Sequence, residues 1–260
     1  DNRQERAPRW RLALMCAAAA AASAAAAIAL LPHLSPSAGL DPAARQKLVE
    51  QAILANPKII PDAISRLQQM EVEKLLASNR RAIETPYAGA WAGAADGDAV
   101  IVEFFDFNCP FCRQSSADIE RLLAEDRHLK VVFRDMPVLG PESERFARAS
   151  LAAAAEGPDA YLRFYRSVFG GQGSLGQERL IRSVRAARLD EGKVAAALES
   201  RAVAAEIDRN LGLGRALGLT GTPSYVIGNR ILSGAVGYAA LKQAVAEARA
   251  VRNNQTVLQH

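Results

Sequence analysis

The sequence predicts an α/β fold that carries a helical insertion and follows a small helical N-terminal region. Three observations predict it. The β-branched and aromatic run Val100-Ile101-Val102-Glu103-Phe104-Phe105 reads as a buried strand that leads at once into a helix. A long Ala-, Leu- and Arg-rich stretch, about 141–218, is helical in character and broken by glycine and proline. Two short strands joined by Gly228-Asn229, with a helix after them, close the chain.

In chain order, Arg3, Arg6, Arg9 and Arg11 precede an uncharged, Ala-rich stretch from Leu12 to Leu31. Residues 1–38 therefore read as a signal peptide or an N-terminal anchor, and the chain as exported to the periplasm. The apolar length approaches the ~20 residues that span a bilayer. Small residues around Ser35-Pro36-Ser37-Ala38 favour cleavage near Ala38. Cys16 is a poor lipid-attachment site, because bulky Met15 precedes it and most of the apolar run follows it.

Asp41-Pro42 is a cap and first-turn signal for a helix to about Ala55, which Asn56-Pro57 ends. A second helix is expected from about Asp62 to Ile83, with Ile64, Leu67, Val72, Leu75, Leu76 and Ile83 apolar among many charges. Two such helices cannot close a core alone. Residues 41–84 either pack on the main domain or form an oligomerisation arm that associates with copies of itself. Residues 85–97, rich in Gly and Ala, read as a linker long enough to let the two parts move. From there the expected order is strand 99–105, helix 110–126, strand 130–134, the helical region, strands 224–227 and 230–232, and helix 237–251. Breaks at Gly157-Pro158 and Gly170-Gly171-Gln172-Gly173 divide the helical region into several helices. Residues 252–260 read as a frayed polar tail.

The chemistry concentrates at Asn108-Cys109-Pro110-Phe111-Cys112. Two cysteines three apart at a helix start lie on one face of its first turn, close enough for a reversible disulfide. Pro110 suits the first helical position, and Cys109 falls near the N-cap, where the helix dipole stabilises a thiolate. Cys109 is thus the expected attacking sulfur and Cys112 the resolving one. Glu103, a lone carboxylate in an apolar strand, either shuttles the Cys112 proton from a buried position or sits at the strand end facing water. The motif Thr220-Gly221-Thr222-Pro223-Ser224 puts a proline just before a strand; with a cis Thr222–Pro223 bond it would make a fixed turn able to meet an extended peptide.

Other readings of the cysteines are weaker. A zinc site needs about four ligands, and the rest of the chain offers only Cys16 and the scattered His33, His128 and His260. A purely structural bridge this local removes little chain entropy. A soft two-sulfur Cu(I) site fits the ligand chemistry. A partner-binding holdase without redox turnover stays open as well. Of the chain's formal charge of +4, residues 1–40 supply +2, four Arg against Asp1 and Glu5. The remainder is nearly balanced, which argues against nucleic acid as a partner. Gly212-x-Gly214-x-x-x-Gly218 misses the dinucleotide-binding spacing. No cofactor and no metal is expected.

The strand order is that of a thioredoxin domain interrupted by helices. With Glu103-Phe104-Phe105, Cys109-Pro110-Phe111-Cys112 and Thr222-Pro223 ahead of the last hairpin, residues 95–251 resemble the DsbA-type thiol–disulfide oxidoreductases of the thioredoxin superfamily. The resemblance implies that Cys109 is the exposed nucleophile, Cys112 its buried partner, Glu103 the buried acid and Pro223 a cis-proline facing the dithiol, with Thr222, Phe111 and Pro110 meeting substrate. It also implies cysteine-containing client proteins and a membrane redox partner. The best-known oxidases of the family carry His where this chain has Phe111, which cannot stabilise a thiolate in that way. Thr222 before the proline looks more like the periplasmic isomerases, and the N-terminal helices resemble the oligomerisation arm of ScsC-like members.

Overall fold

The computed structural model describes residues 41–257. The segment read as a signal or anchor, with Cys16, lies outside the described residues. Among the described residues no helix is long and apolar enough to cross a membrane.

The chain divides into two compact units, one ending at Arg66 and one beginning at Leu67. In the first, helix α1 (Pro42–Ala55) is capped by Asp41, whose carboxylate accepts the Ala43 N–H at 2.9 Å. It buries none of its residues. Helix α2 (Ile59–Glu84) begins here and continues into the second unit. It starts earlier than expected because Pro61 falls in its first turn, whose N–H groups have no intrahelical partner anyway.

The second unit is built on a five-stranded sheet in the order β1-β3-β2-β4-β5. The strands are β1 (Trp91–Gly93), β2 (Ala99–Phe105), β3 (Leu129–Asp135), β4 (Ser224–Ile227) and β5 (Arg230–Ser233). β2 and β3 are parallel, joined through helix α3 (Pro110–Glu125), and the other neighbours are antiparallel. Gly228, at φ 56°, makes the two-residue β4–β5 turn that the sequence predicts. The helical insertion resolves into α4 (Pro141–Ala155), α5 (Pro158–Gly170), α6 (Gln177–Ala186), α7 (Glu191–Leu198) and α8 (Arg201–Ala216), and helix α9 (Tyr238–Val257) follows the hairpin. Both expected breaks end helices. The later ones are set by the caps Asp190 and Ser200, which accept the N–H groups of Lys193 and Val203.

Alternation along the strands gives the sheet two apolar faces. Ile101, Phe105, Val131, Phe133, Tyr225 and Ile227 join Phe146, Tyr161, Phe164 and Tyr165 of the insertion in one core. Val102, Phe104, Val132 and Val226 form the other with Met136, Leu217 and, from α2, Leu76 and Ile83. Each such side chain, fully buried, contributes about 1.5–3 kcal/mol.

Three boundaries differ from the sequence reading. The compact unit begins at Leu67, so the second half of α2 belongs to it and the proposed arm 41–84 does not end where the domain starts. The stretch read as the linker 85–97 contains β1, and its start is fastened. Arg134, 6% exposed on β3, donates to the carbonyl oxygens of Ala82 at 2.6 Å and Thr85 at 2.5 Å while pairing with Glu206 and Asn210 of α8. Gly89 N–H bonds the Ala154 carbonyl at 2.8 Å, and a side chain there would strike the Gly157 backbone. The start of the segment is therefore tied to β3 and α4. Finally, α9 continues through Val257, so much of the expected tail is helix.

Candidate active site

The site forms where β2 ends and α3 begins. Cys109 is the N-cap of α3, with φ −80° and ψ 119°, and Pro110 takes the first turn. This leaves Pro110 exposed and Phe111 60% exposed at the helix tip. One turn of helix carries Cys112 inward to zero exposure. Cys109 retains 5%, so it is the more accessible of the two sulfurs but nearly covered, where the sequence resemblance implies an exposed one.

Asp106 shapes the loop before the helix. Its carboxylate accepts the Asn108 N–H at 2.8 Å, in the turn geometry typical of aspartate, and on the other side the N–H groups of Val138 at 2.8 Å and Leu139 at 3.0 Å. Val138 and Leu139 are 50% and 47% exposed, so one buried carboxylate holds two apolar surface residues in fixed relation to Asn108, next to the dithiol. The Asp-Phe-Asn order carries a turn signal that sequence reasoning passed over. Arg113 anchors α3 from below, donating to the carbonyl oxygens of Phe169 and Gly171 at 2.6 Å each.

Across from the dithiol stands the loop before β4. The Thr222–Pro223 bond is cis. The Cys109 thiol lies 3.3 Å from the Thr222 carbonyl oxygen, while the Pro223 carbonyl is bonded to Gly234 N–H at 2.8 Å. Two elements separated by more than a hundred residues thus meet at one sulfur.

Beneath Cys112 lies Glu103, fully buried. It therefore does not face water at a strand end, the second of the two positions open to it in the sequence. Tyr165 of α5 donates to its Oε2 at 3.2 Å, and its Oε1 has no partner. Tyr225 stands opposite Glu103 in the β2–β4 register; its hydroxyl pulls weakly in the same direction as Tyr165, in a geometry short of a hydrogen bond. Burial pushes the Glu103 carboxyl up to about 8, against the lowering effect of Tyr165. Burial likewise pushes the Cys112 thiol far up, and the Glu103 and Cys109 charges push the same way, against a hydrogen bond from the Asp106 backbone. A second buried acid, Asp135, is pushed up to about 8 by burial and holds the Ser150 hydroxyl at 2.7 Å. Tyr165 was not singled out from the sequence, since only the docking of the insertion brings it to Glu103, and Asp135 ends β3 with nothing local to mark it as buried.

Among the described residues no group of three or more His, Cys, Asp and Glu side chains is arranged to hold a metal ion. A cavity of about 660 Å³ lies elsewhere, lined by Glu73, Arg80, Asp98, Asn229 and Arg252 among others. The dithiol instead sits beside exposed apolar residues, a setting suited to a macromolecular partner.

A dithiol capping the helix that follows a central parallel strand, set against a cis-proline loop, defines a thioredoxin-fold protein of the thiol–disulfide class. Within that class the chain belongs to the DSBA-like thioredoxin domain family, whose model matches residues 100–246. A thioredoxin-like oxidoreductase from Silicibacter pomeroyi is 34% identical, covers 66% of this chain and 98% of its own, and superposes with a TM-score of 0.62. The ScsC protein of Proteus mirabilis, in a transitional conformation, is 28% identical over 81% of this chain and 99% of its own, with a TM-score of 0.64. Among curated sequences, residues of this chain are 27% identical over 158 positions to the Na(+)/H(+) antiporter NhaA 3 of Salinispora tropica. The chain spans about a quarter of the length of that relative, 24%.

Proposed function

We propose that the chain is an exported thiol–disulfide oxidoreductase, forming or isomerising disulfides in cysteine-containing envelope proteins through Cys109 and Cys112. The observation that carries this reading is the Cys109 sulfur held 3.3 Å from the Thr222 carbonyl with Cys112 sealed beneath it. A client segment laid along Thr222 and Pro223, with Pro110 and Phe111 at its flank, brings its own sulfur to Cys109 and to no other position.

In isomerisation the Cys109 thiolate attacks a client disulfide. A Cys109–client S–S bond forms, the client bond breaks, and one client sulfur leaves as a thiolate. A different client thiolate then attacks the client sulfur of the mixed disulfide, making the new bond and releasing Cys109, with no net oxidation. In oxidation a client thiolate attacks Cys109 of the Cys109–Cys112 disulfide, and Cys112 leaves with the electron pair. That thiolate has no solvation to stabilise it, and protonated Glu103 is the buried group able to supply a proton. A second client thiolate displaces Cys109, so the client is oxidised and the dithiol reduced. A membrane redox partner then accepts the two electrons and two protons.

Of the arm read as residues 41–84, the part before Leu67 would bring copies together, since Leu48, Val49, Leu54, Ile59, Ile60 and Ile64 are exposed apolar residues on α1 and the start of α2. Several reduced dithiols around one client favour reshuffling over one-way oxidation. The test is reactivation of a client protein with scrambled disulfides, by the full chain in mildly reducing glutathione buffer, beside a Cys109→Ser control. Cys109-dependent reactivation supports the reading. Equal reactivation by the control overturns it, and reactivation by neither rules out isomerisation and leaves oxidation through the same dithiol.

A further inference from the structure

The buried acid beneath the dithiol does not stand alone, and its two oxygens are not equivalent. Oε2 accepts the Tyr165 hydroxyl at 3.2 Å, whereas Oε1 is buried without a partner. A protonated carboxyl that accepts a hydrogen bond on one oxygen keeps its own proton on the other, because the carbonyl oxygen is a much better acceptor than the hydroxyl oxygen. Tyr165 is delivered by the inserted helix α5, packed by Phe105 at 5.5 Å and Phe133 at 4.8 Å between ring centroids, so its hydroxyl has little freedom to leave.

We infer that Tyr165 is a positioning residue for disulfide exchange: by holding Oε2 it assigns the mobile proton of Glu103 to Oε1, the oxygen free to exchange it with the Cys112 sulfur. The inference rests on the function proposed above and deepens it. The groups facing Glu103 are Tyr165 and, one turn earlier, Tyr161 from α5, Tyr225 from β4 and Cys112 from α3. Of these only Tyr165 has a hydrogen bond to the carboxyl, and a donor to a carboxylate favours its ionised form. Through it, the insertion adjusts how readily Glu103 takes up the proton that Cys112 must lose before it can attack.

The experiment uses the full chain with oxidised glutathione. The Cys109 thiolate attacks it, releasing one glutathione and leaving a Cys109–glutathione disulfide; Cys112 then attacks the Cys109 sulfur, passing its proton to Glu103 and expelling the second glutathione. The rate of this second step is followed against pH by acid quench and mass spectrometry. In the wild type it should rise through a midpoint that disappears in Glu103→Gln. In Tyr165→Phe the midpoint should move up by about one pH unit, the effect of one hydrogen bond to a charged group, slowing the step about tenfold at pH 7. Site-specific replacement of Tyr165 by a fluorotyrosine, a stronger donor of the same shape, should move it down. Tyr161→Phe, which removes a buried hydroxyl with no bond to Glu103, should leave it in place. An unmoved midpoint in both Tyr165 replacements overturns the inference while the function stands. A wild-type profile without a Glu103-dependent limb overturns the proton role of Glu103 itself. Should Tyr165→Phe not fold, the fluorotyrosine shift decides alone.

Discussion

The Cys109 sulfur and the Thr222 carbonyl oxygen lie 3.3 Å apart although 113 residues separate them in sequence. Three residues along, most of one helical turn, Cys112 has no exposed surface. The two thiols of one motif therefore live in different surroundings, and most of the expected chemistry follows from that difference.

Alkylation should separate them. Treating the reduced protein briefly with iodoacetamide at pH 7 should label Cys109 and leave Cys112 almost untouched, because Cys112 is sealed and burial disfavours its thiolate. Peptide mass spectrometry after unfolding and a second, isotopically distinct alkylation reads both sites. Equal labelling would contradict the burial of Cys112.

Glu103 should make the protein less stable as pH rises. The unfolded chain ionises this carboxyl above its ordinary 4.5, whereas the folded protein keeps it protonated up to about 8. Between those values the folded state holds the extra proton, so stability is full below the lower value and declines through the window. Glu103→Gln abolishes that decline, and its gain over wild type should be ~3 kcal/mol larger at pH 8 than at pH 5. Denaturant titrations at the two pH values measure it; a gain independent of pH would count against the raised carboxyl.

Arg134 should be the most sensitive charge outside the site. Arg134→Met leaves Glu206 with only its outer partner Arg209 and strips the Ala82 and Thr85 carbonyls of their donor. Removing one member of a buried ion pair is destabilising by about 3 kcal/mol or more. Limited proteolysis should then cut near residues 85–89, which the wild type resists. A variant with unchanged stability and cleavage would show the cluster to be dispensable.

Asp106→Ala should slow exchange with protein clients more than with glutathione. It releases the N–H groups of Asn108, Val138 and Leu139 together, and with them the fixed placing of an apolar rim that a small thiol does not use. The ratio of the two rates is the measurement, and a parallel fall in both would place Asp106 in stability alone.

How much of this was legible in the sequence depends on the range of the interaction. Cys109, Pro110 and Cys112 were readable because spacing, capping and the strand before them are local. Glu103 was readable as an anomaly, a charge in an apolar strand, but its surroundings were not, since Tyr165 and Tyr225 reach it from elements 62 and 122 positions away. β1 escaped notice because Trp91-Ala92-Gly93 is three residues long and owes its strand geometry to its pairing with Val132, Val131 and Lys130 of β3. The same physics moved the domain boundary back to Leu67, because Leu76 and Ile83 look like any amphipathic helix until the sheet covers them.

The short strand β1 bears on how the molecule can be cut. β3 has β2 on one side and only those three residues on the other. A shortened version beginning at Asp98, where the apolar run suggests a natural start, would leave the backbone of Lys130, Val131 and Val132 unpaired along an open border. Such a border recruits strands from neighbouring molecules, and the product of that trimming would be a template for aggregates.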